Sequence, residues 1–162
     1  MTSYSTLKHP LVGELLLIAN PTELIGIYFV DWKHAPKVQS DWKRNPQHPV
    51  LEKASKQIKD YLSGRRTSFS IPLHYKGTDF QHKVWKQIAS IPFGETISYS
   101  ELAKRAGKPQ AVRAAGSATG KNPLCVIIPC HRVIAKDGTL GGFAGGLPRK
   151  RRLLAVETKS AE

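Results

Sequence analysis

The 162-residue chain is 40% hydrophobic, enough for one ordinary domain or two small ones, and sets 25 Lys and Arg against 12 Asp and Glu, a formal net charge of +13. Two cysteines five residues apart make no disulfide framework, and no run approaches the roughly 20 apolar residues of a membrane span, so a disulfide-stapled scaffold and an integral membrane protein are set aside. The charge favours polyanionic partners and is heavier in the second half: residues 1–76 carry 11 basic and 6 acidic groups, residues 77–162 carry 14 and 6.

Taken in order, "LVGELLLIAN" and "ELIGIYFVDW" are apolar runs parted by Asn20-Pro21, which predicts two paired strands and a turn. The opening residues show no basic start, long apolar stretch and small-residue cleavage site, so an intracellular, cytoplasmic protein with reduced thiols is expected. "KHAPKVQSDWKRNPQHP" reads as a loop. Val50, Leu51, Ala54, Ile58, Tyr61 and Leu62 recur at helical spacing, with Gly64 as a stop. "TSFSIPL" is a short strand candidate. This first segment gathers no catalytic residue types and reads as a structural α+β unit.

A boundary is expected near His74–Gly77, giving domains 1–74 and 77–162. Beyond it, Phe80, Val84, Trp85 and Ile88 share one helical face, with Thr78 as N-cap and Pro92 and Gly94 as the end. Ser98 with Glu101 reads as a capping box opening a short helix to about Ala106. After "GKP", a second helix is expected from about Gln110 to Thr119. Two short helices joined by a glycine-containing turn form a helix-turn-helix candidate. The second is slim: Ala111, Ala114, Ala115, Gly116, Ser117 and Ala118 let it pack closely on another helix, or lie close to a nucleic-acid backbone. Arg113 is a candidate probe on it.

"VIIPCHRVI" then sets Cys130, His131 and Arg132 behind Pro129 inside an apolar run. A thiol at its ordinary pKa of about 8.5 is only a few per cent thiolate at neutral pH, so a nucleophilic cysteine needs a base or a cation beside it. Neighbours on a straight strand point to opposite faces, so Cys130 and His131 cooperate only if the chain bends or a water joins them. Pro129 makes a bend reasonable. Glu157, past the apolar Leu153 and Leu154, is the acidic residue that could orient the imidazole. Cys125 reads as a small buried hydrophobe. A metal site from Cys125, Cys130 and His131 is possible, but its spacing matches no standard zinc pattern and no fourth ligand is evident. "KDGTLGGFAGG" brings five glycines that allow close backbone approach to a ligand. "LPRKRRLLAVE" reads as a helix whose Arg149, Lys150, Arg151 and Arg152 form a solvated basic face.

"NPLCVIIPCHRVI", with "GTDFQHKVW", "IPFGETISYSELAKRAG" and "AVRAAGSA", closely resembles the O6-alkylguanine-DNA alkyltransferases, from Gly77 to Glu157. The resemblance implies an α+β fold: a small N-terminal α/β, ribonuclease-H-like domain, then a winged helix-turn-helix domain. It implies a one-shot repair reaction, with no cofactor and no metal, in which Cys130 takes the alkyl group from O6 of guanine in double-stranded DNA, by a monomer that could assemble cooperatively on DNA. By the family pattern His131 deprotonates Cys130 through a water, Glu157 holds His131, and Tyr99 donates towards N3 of the base. Arg113 fills the gap left by the flipped nucleotide, with Ala111, Ala114, Ser117, Thr96 and Arg132 at the DNA. Asn122 braces the cysteine segment, and Val133, Phe143, Ala144 and Gly145 line the base pocket. Phe143-Ala144 stands where many members have Tyr-Ser, removing two hydroxyls. Three other classes compete: a lesion-binding module without chemistry, which Cys130 argues against; a winged-helix regulator, which would need long polar side chains on the second helix; and a Cys-His hydrolase, which would turn over and ignore DNA.

Overall fold

Leu15 to Ala19 is an unbroken buried run, the pattern of a strand covered on both faces. In the computed structural model, which describes residues 1–161, it is the C-terminal part of β2 (Gly13–Ala19). β2 pairs antiparallel with β1 (Ser3–His9) and with β3 (Leu24–Phe29), and the two-residue β4 (Lys43–Arg44) runs parallel to β1, giving the order β3-β2-β1-β4. β1 escapes a hydrophobicity reading because two of its three inward positions are serines: Ser3, Ser5 and Leu7 are buried on alternate residues. The helix α1 (Pro49–Leu62) begins as Val50 N donates to the His48 ring, and it buries Leu51, Ala54, Ile58 and Tyr61 completely. Leu51 and Ile58 each contribute about 1.5–3 kcal/mol by leaving water. The expected strand over 67–73 does not form as a strand. Leu73 makes one isolated bridge to Leu24, and Phe69 turns onto the Tyr61 ring at 5.5 Å instead. These residues form one compact unit, Met1–Tyr75, together with Pro123–Cys125, where Ile27 N donates to Pro123 O and Cys125 N donates to Ile27 O along the edge of β3.

The second unit comprises Lys76–Asn122 and the chain from Val126 on. Its first helix, α2 (Asp79–Ala89), opens with a full capping box: Gln81 N donates to Thr78 Oγ1, and Thr78 N donates to Gln81 Oε1. α3 (Tyr99–Arg105) is capped by Ser98, which accepts from Glu101 N. The expected box is half made, because the Glu101 carboxylate is taken by Arg105 at 3.0 Å. Gly107, at φ +88, turns the chain into α4 (Val112–Gly120), which starts two residues later than the spacing suggests. Ala115 and Ala118 face inward against α2 and α3, and the buried Trp85 indole donates to Ala118 O at 2.8 Å, tying α2 to α4. The outer residues Arg113, Ala114 and Ser117 are exposed. β5 (Ile97–Ser98) pairs parallel with β6 (Val133–Ile134), and α5 (Leu147–Ala161) closes the chain. Among the described residues no helix is long and apolar enough to cross a membrane.

Candidate active site around Cys130

The apolar run that reaches Cys130 is not a strand at its end. Pro129, at φ −80 and ψ 67, is the centre of an inverse γ-turn in which Cys130 N donates to Ile128 O at 2.7 Å. A single 3-10 turn follows, Cys130–Arg132, so the thiol, imidazole and guanidinium fan out instead of alternating. Ile128 O accepts a second bond from Asn122 Nδ2, also at 2.7 Å, so the end of α4 is fastened to the turn that aims the thiol. Val126, a β-branched residue at φ 74, lies four residues upstream, a left-handed backbone that costs about 1–3 kcal/mol and persists only where its surroundings hold it. Cys125 and Cys130 are both buried, and neither is in a disulfide.

His131 is fully buried, and its Nε2 lies 2.7 Å from Glu157 Oε2. Glu157 accepts from three further donors. Gly94 N reaches Oε1 at 3.0 Å, Arg132 Nε spans both oxygens at 2.9 and 3.1 Å, and Arg132 Nη2 reaches Oε2 at 3.0 Å. A group ringed by donors is a carboxylate, so the shared hydrogen belongs to His131 Nε2 and Nδ1 carries the lone pair. Burial pushes the imidazole below its ordinary pKa, outweighing the opposite pull of Glu157; Arg132 and Lys150 push the same way as burial. His131 is therefore neutral at neutral pH, a base with its accepting nitrogen shut away from bulk solvent.

Two residues lie elsewhere than the sequence suggests. Arg132, expected at the DNA, is only 6% exposed: Glu157 takes its Nε and Nη2, and Ile91 O accepts from Nη1 at 2.6 Å. A buried carboxylate needs a buried cation, and Arg132 is that cation. Lys150, expected on a solvated face, is fully buried, its ammonium among backbone carbonyls of β6 and the glycine segment.

Tyr99 opens α3 half-buried, its hydroxyl donating to Gly142 O at a loose 3.4 Å. Burial, helped by the charge on Cys130, raises its pKa, so the phenol keeps its proton and stays a donor. Gly141, at φ +68, faces the ring so closely that a Cβ would lie 3.0 Å from Tyr99 Cε2. Only glycine allows both that backbone and that approach. Val133 is buried in β6; Phe143, Ala144 and Gly145 are half-buried in the glycine segment; Thr96 is exposed before β5, and Ala111 is the N-cap of α4. Gly94, Gly141 and Lys150 were not legible as site residues, since a backbone donor and a contact with Tyr99 leave no mark in composition. Among the described residues no three His, Cys, Asp or Glu side chains gather to hold a metal.

Residues 2–75 match the family described as 6-O-methylguanine DNA methyltransferase, ribonuclease-like domain, and residues 79–159 match the DNA binding domain of the same proteins. A methylated-DNA–protein-cysteine methyltransferase of Methanosarcina barkeri is 42% identical over 154 residues, covering 95% of this chain and 96% of the relative. The constitutive enzyme of that name from Bacillus subtilis is 41% identical over 163 residues, covering 97% and 96%. A crystal structure of Mycobacterium tuberculosis OGT in complex with DNA superposes with a TM-score of 0.89 at 38% identity, covering 98% of this chain and 94% of that one. The O6-methylguanine methyltransferase structure from the same organism gives 0.90 at 40% identity, with 100% and 96% covered.

Proposed function

The chain belongs to the 6-O-methylguanine DNA methyltransferase family, binding DNA and repairing it by alkyl transfer, and we propose that Cys130 is the sulfur that receives the alkyl group from O6-alkylguanine in a duplex. The observation that carries this reading is the chain of contacts behind the thiol. A neutral imidazole sits next to Cys130 in a tight turn, its tautomer fixed by a carboxylate that Arg132 and Gly94 hold in place.

Each residue then has one task. His131 Nδ1 takes the thiol proton across a water. The thiolate forms the S–CH3 bond as the CH3–O6 bond breaks, and the electron pair leaves with the guanine. Tyr99, a phenol held protonated, supplies a hydrogen bond and a proton at N3, exchanging its loose bond to Gly142 O for the base. One proton leaves sulfur and one reaches guanine, so the products are S-methylcysteine and guanine. The thioether is no leaving group, and the protein acts once.

A base inside the stack hides O6, so the nucleotide must be extruded at a few kcal/mol. Arg113, exposed on α4 beside Ala114 and Ser117, is placed to enter the vacated space, and the slim outer face lets α4 approach the backbone in the minor groove without reading sequence. The first turn of α4 has no side-chain cap, leaving N–H groups for a phosphate. The same reading makes the protein a cytoplasmic monomer on its DNA, which could assemble cooperatively.

Incubation with duplex DNA containing O6-methylguanine is expected to add one methyl group to the peptide bearing Cys130, read by intact-mass and peptide mass spectrometry. An unmodified Cys130 after complete incubation overturns the assignment. Arg113→Ala is expected to slow repair in duplex roughly tenfold or more, the worth of about 1–3 kcal/mol of stacking, while reaction with the free modified base stays near wild type. Equal losses on the two substrates would remove the wedge role.

A further inference from the structure

The first unit has no task in the reaction above, yet one face of its sheet is built from aromatic rings. Opposite the inward Ser3, Ser5 and Leu7, a single row of paired residues crosses all four strands: Arg44 on β4, Tyr4 on β1, Ile18 on β2 and Gly26 on β3. Residues paired in this way share a face of the sheet. Gly26 leaves its place in the row to the Tyr28 ring, since a Cβ there would stand 2.8 Å from Tyr28 Cε2. Trp32 stacks on Tyr28 with ring centres 6.3 Å apart and planes within 6°, and His34 meets the indole edge-on at 5.3 Å. On the other side of the sheet Trp42 packs on Tyr4 at 6.5 Å. Both indoles are only half-buried.

The second observation is charge. Lys33, Lys37, Lys43 and Arg44 are all exposed in this segment, against Asp31 and Asp41, and among the described residues none of the four cations is in an ion pair. Two of the exposed large apolar side chains, Val30 and Val38, fall in the same stretch. Packing alone gives no reason to gather unpaired cations around half-open indoles. An unpaired nucleic-acid strand does, because its phosphates take the cations and its bases stack on the rings. A duplex offers such a surface only phosphates, since its base faces already cover one another.

We propose that this face of the first unit binds single-stranded DNA, with Trp32 and Trp42 stacking on bases and Lys33, Lys37, Lys43 and Arg44 holding phosphates. The site belongs to the first unit alone and is independent of the Cys130 assignment. It gives the segment between β3 and α1, which reads in the sequence as a plain polar loop, a partner of its own.

The test measures fluorescence anisotropy of the full chain with three labelled probes: an oligothymidylate of about twelve nucleotides, an abasic strand with the same phosphates, and a duplex of the same length. Wild type should bind oligothymidylate at least about fivefold more tightly than the abasic strand, the effect of stacking one base. Trp32→Ala should lose at least about that factor on oligothymidylate, and Trp32→Phe, which keeps a ring on Tyr28, should retain most of the affinity. Lys33→Gln with Lys37→Gln should flatten the slope of log K against log salt on oligothymidylate by about 0.7 per lysine, with duplex affinity and methyl transfer to Cys130 within about twofold of wild type. Should Trp32→Ala not fold, wild type irradiated with oligothymidylate carrying one 5-iodouracil gives the answer: the crosslink should lie in a peptide bearing Trp32 or Trp42. Equal affinity for the oligothymidylate and abasic strands overturns the proposal, as charge alone would then explain binding. So does an equal loss on single strand and duplex in the lysine variant, or a crosslink confined to the second unit.

Discussion

Cys130→Ser is expected to stop methyl transfer almost completely, by about a thousandfold or more, while affinity for duplex DNA changes by less than about twofold. Serine keeps the size of the side chain in a turn set by Pro129 and Asn122, so the fold has no reason to move. Its hydroxyl does not ionise near neutral pH, and His131 has not been arranged to force it. DNA contact is assigned to α4, where Arg113, Ala114 and Ser117 are exposed. Transfer from a labelled methyl group, run beside fluorescence anisotropy on the same oligonucleotide, separates the two effects. Transfer by the serine variant at more than a few per cent of the wild-type rate would show that another atom accepts the methyl group. A large loss of binding would mean that Cys130 shapes the DNA surface as well.

Glu157→Gln carries the second large effect, and it falls first on stability. The carboxylate is 1% exposed and receives hydrogens from His131, Arg132 and Gly94. A glutamine brings a donor where every neighbour already donates, and it leaves the Arg132 guanidinium buried without an opposite charge. Breaking a buried pair in this way costs about 3–5 kcal/mol, a fall of roughly 12 °C or more in the unfolding temperature of a unit this size. Thermal and urea unfolding check the figure. Chemistry should fall as well, because the His131 tautomer is no longer fixed. The double variant Glu157→Gln with Arg132→Met distinguishes the two consequences. Removing the stranded cation should restore part of the stability and none of the transfer. Recovery of both together would mean that Glu157 acts only as a structural anion.

The features legible in the sequence were those with local signals. Paired strands on either side of Asn20-Pro21, the capped starts of α2 and α3 and the slim second helix all follow from short-range patterns that the fold keeps. The proline-cysteine turn could be anticipated because proline has few backbone states, although the inverse γ-turn itself could not. What failed to show was long-range. β1 hides its inward face behind two serines. Arg132 and Lys150 look like surface cations because burial of a charge depends on partners far away in the chain, Glu157 for one and the carbonyls of Val133, Leu140 and Gly142 for the other. Glu157 itself could be picked out only because it is an isolated acid among apolar residues of α5.

The indole of Trp85, enclosed among apolar residues and fastened to the carbonyl of Ala118, gives the protein a built-in optical reporter. Trp32 and Trp42 both belong to the first unit and are partly open to water, so the blue edge of tryptophan emission comes from Trp85. Any movement of α4 that stretches this bond, whether on meeting DNA or after the sulfur has been spent, will redden that edge. The state of the helix can thus be followed in unlabelled protein by light alone.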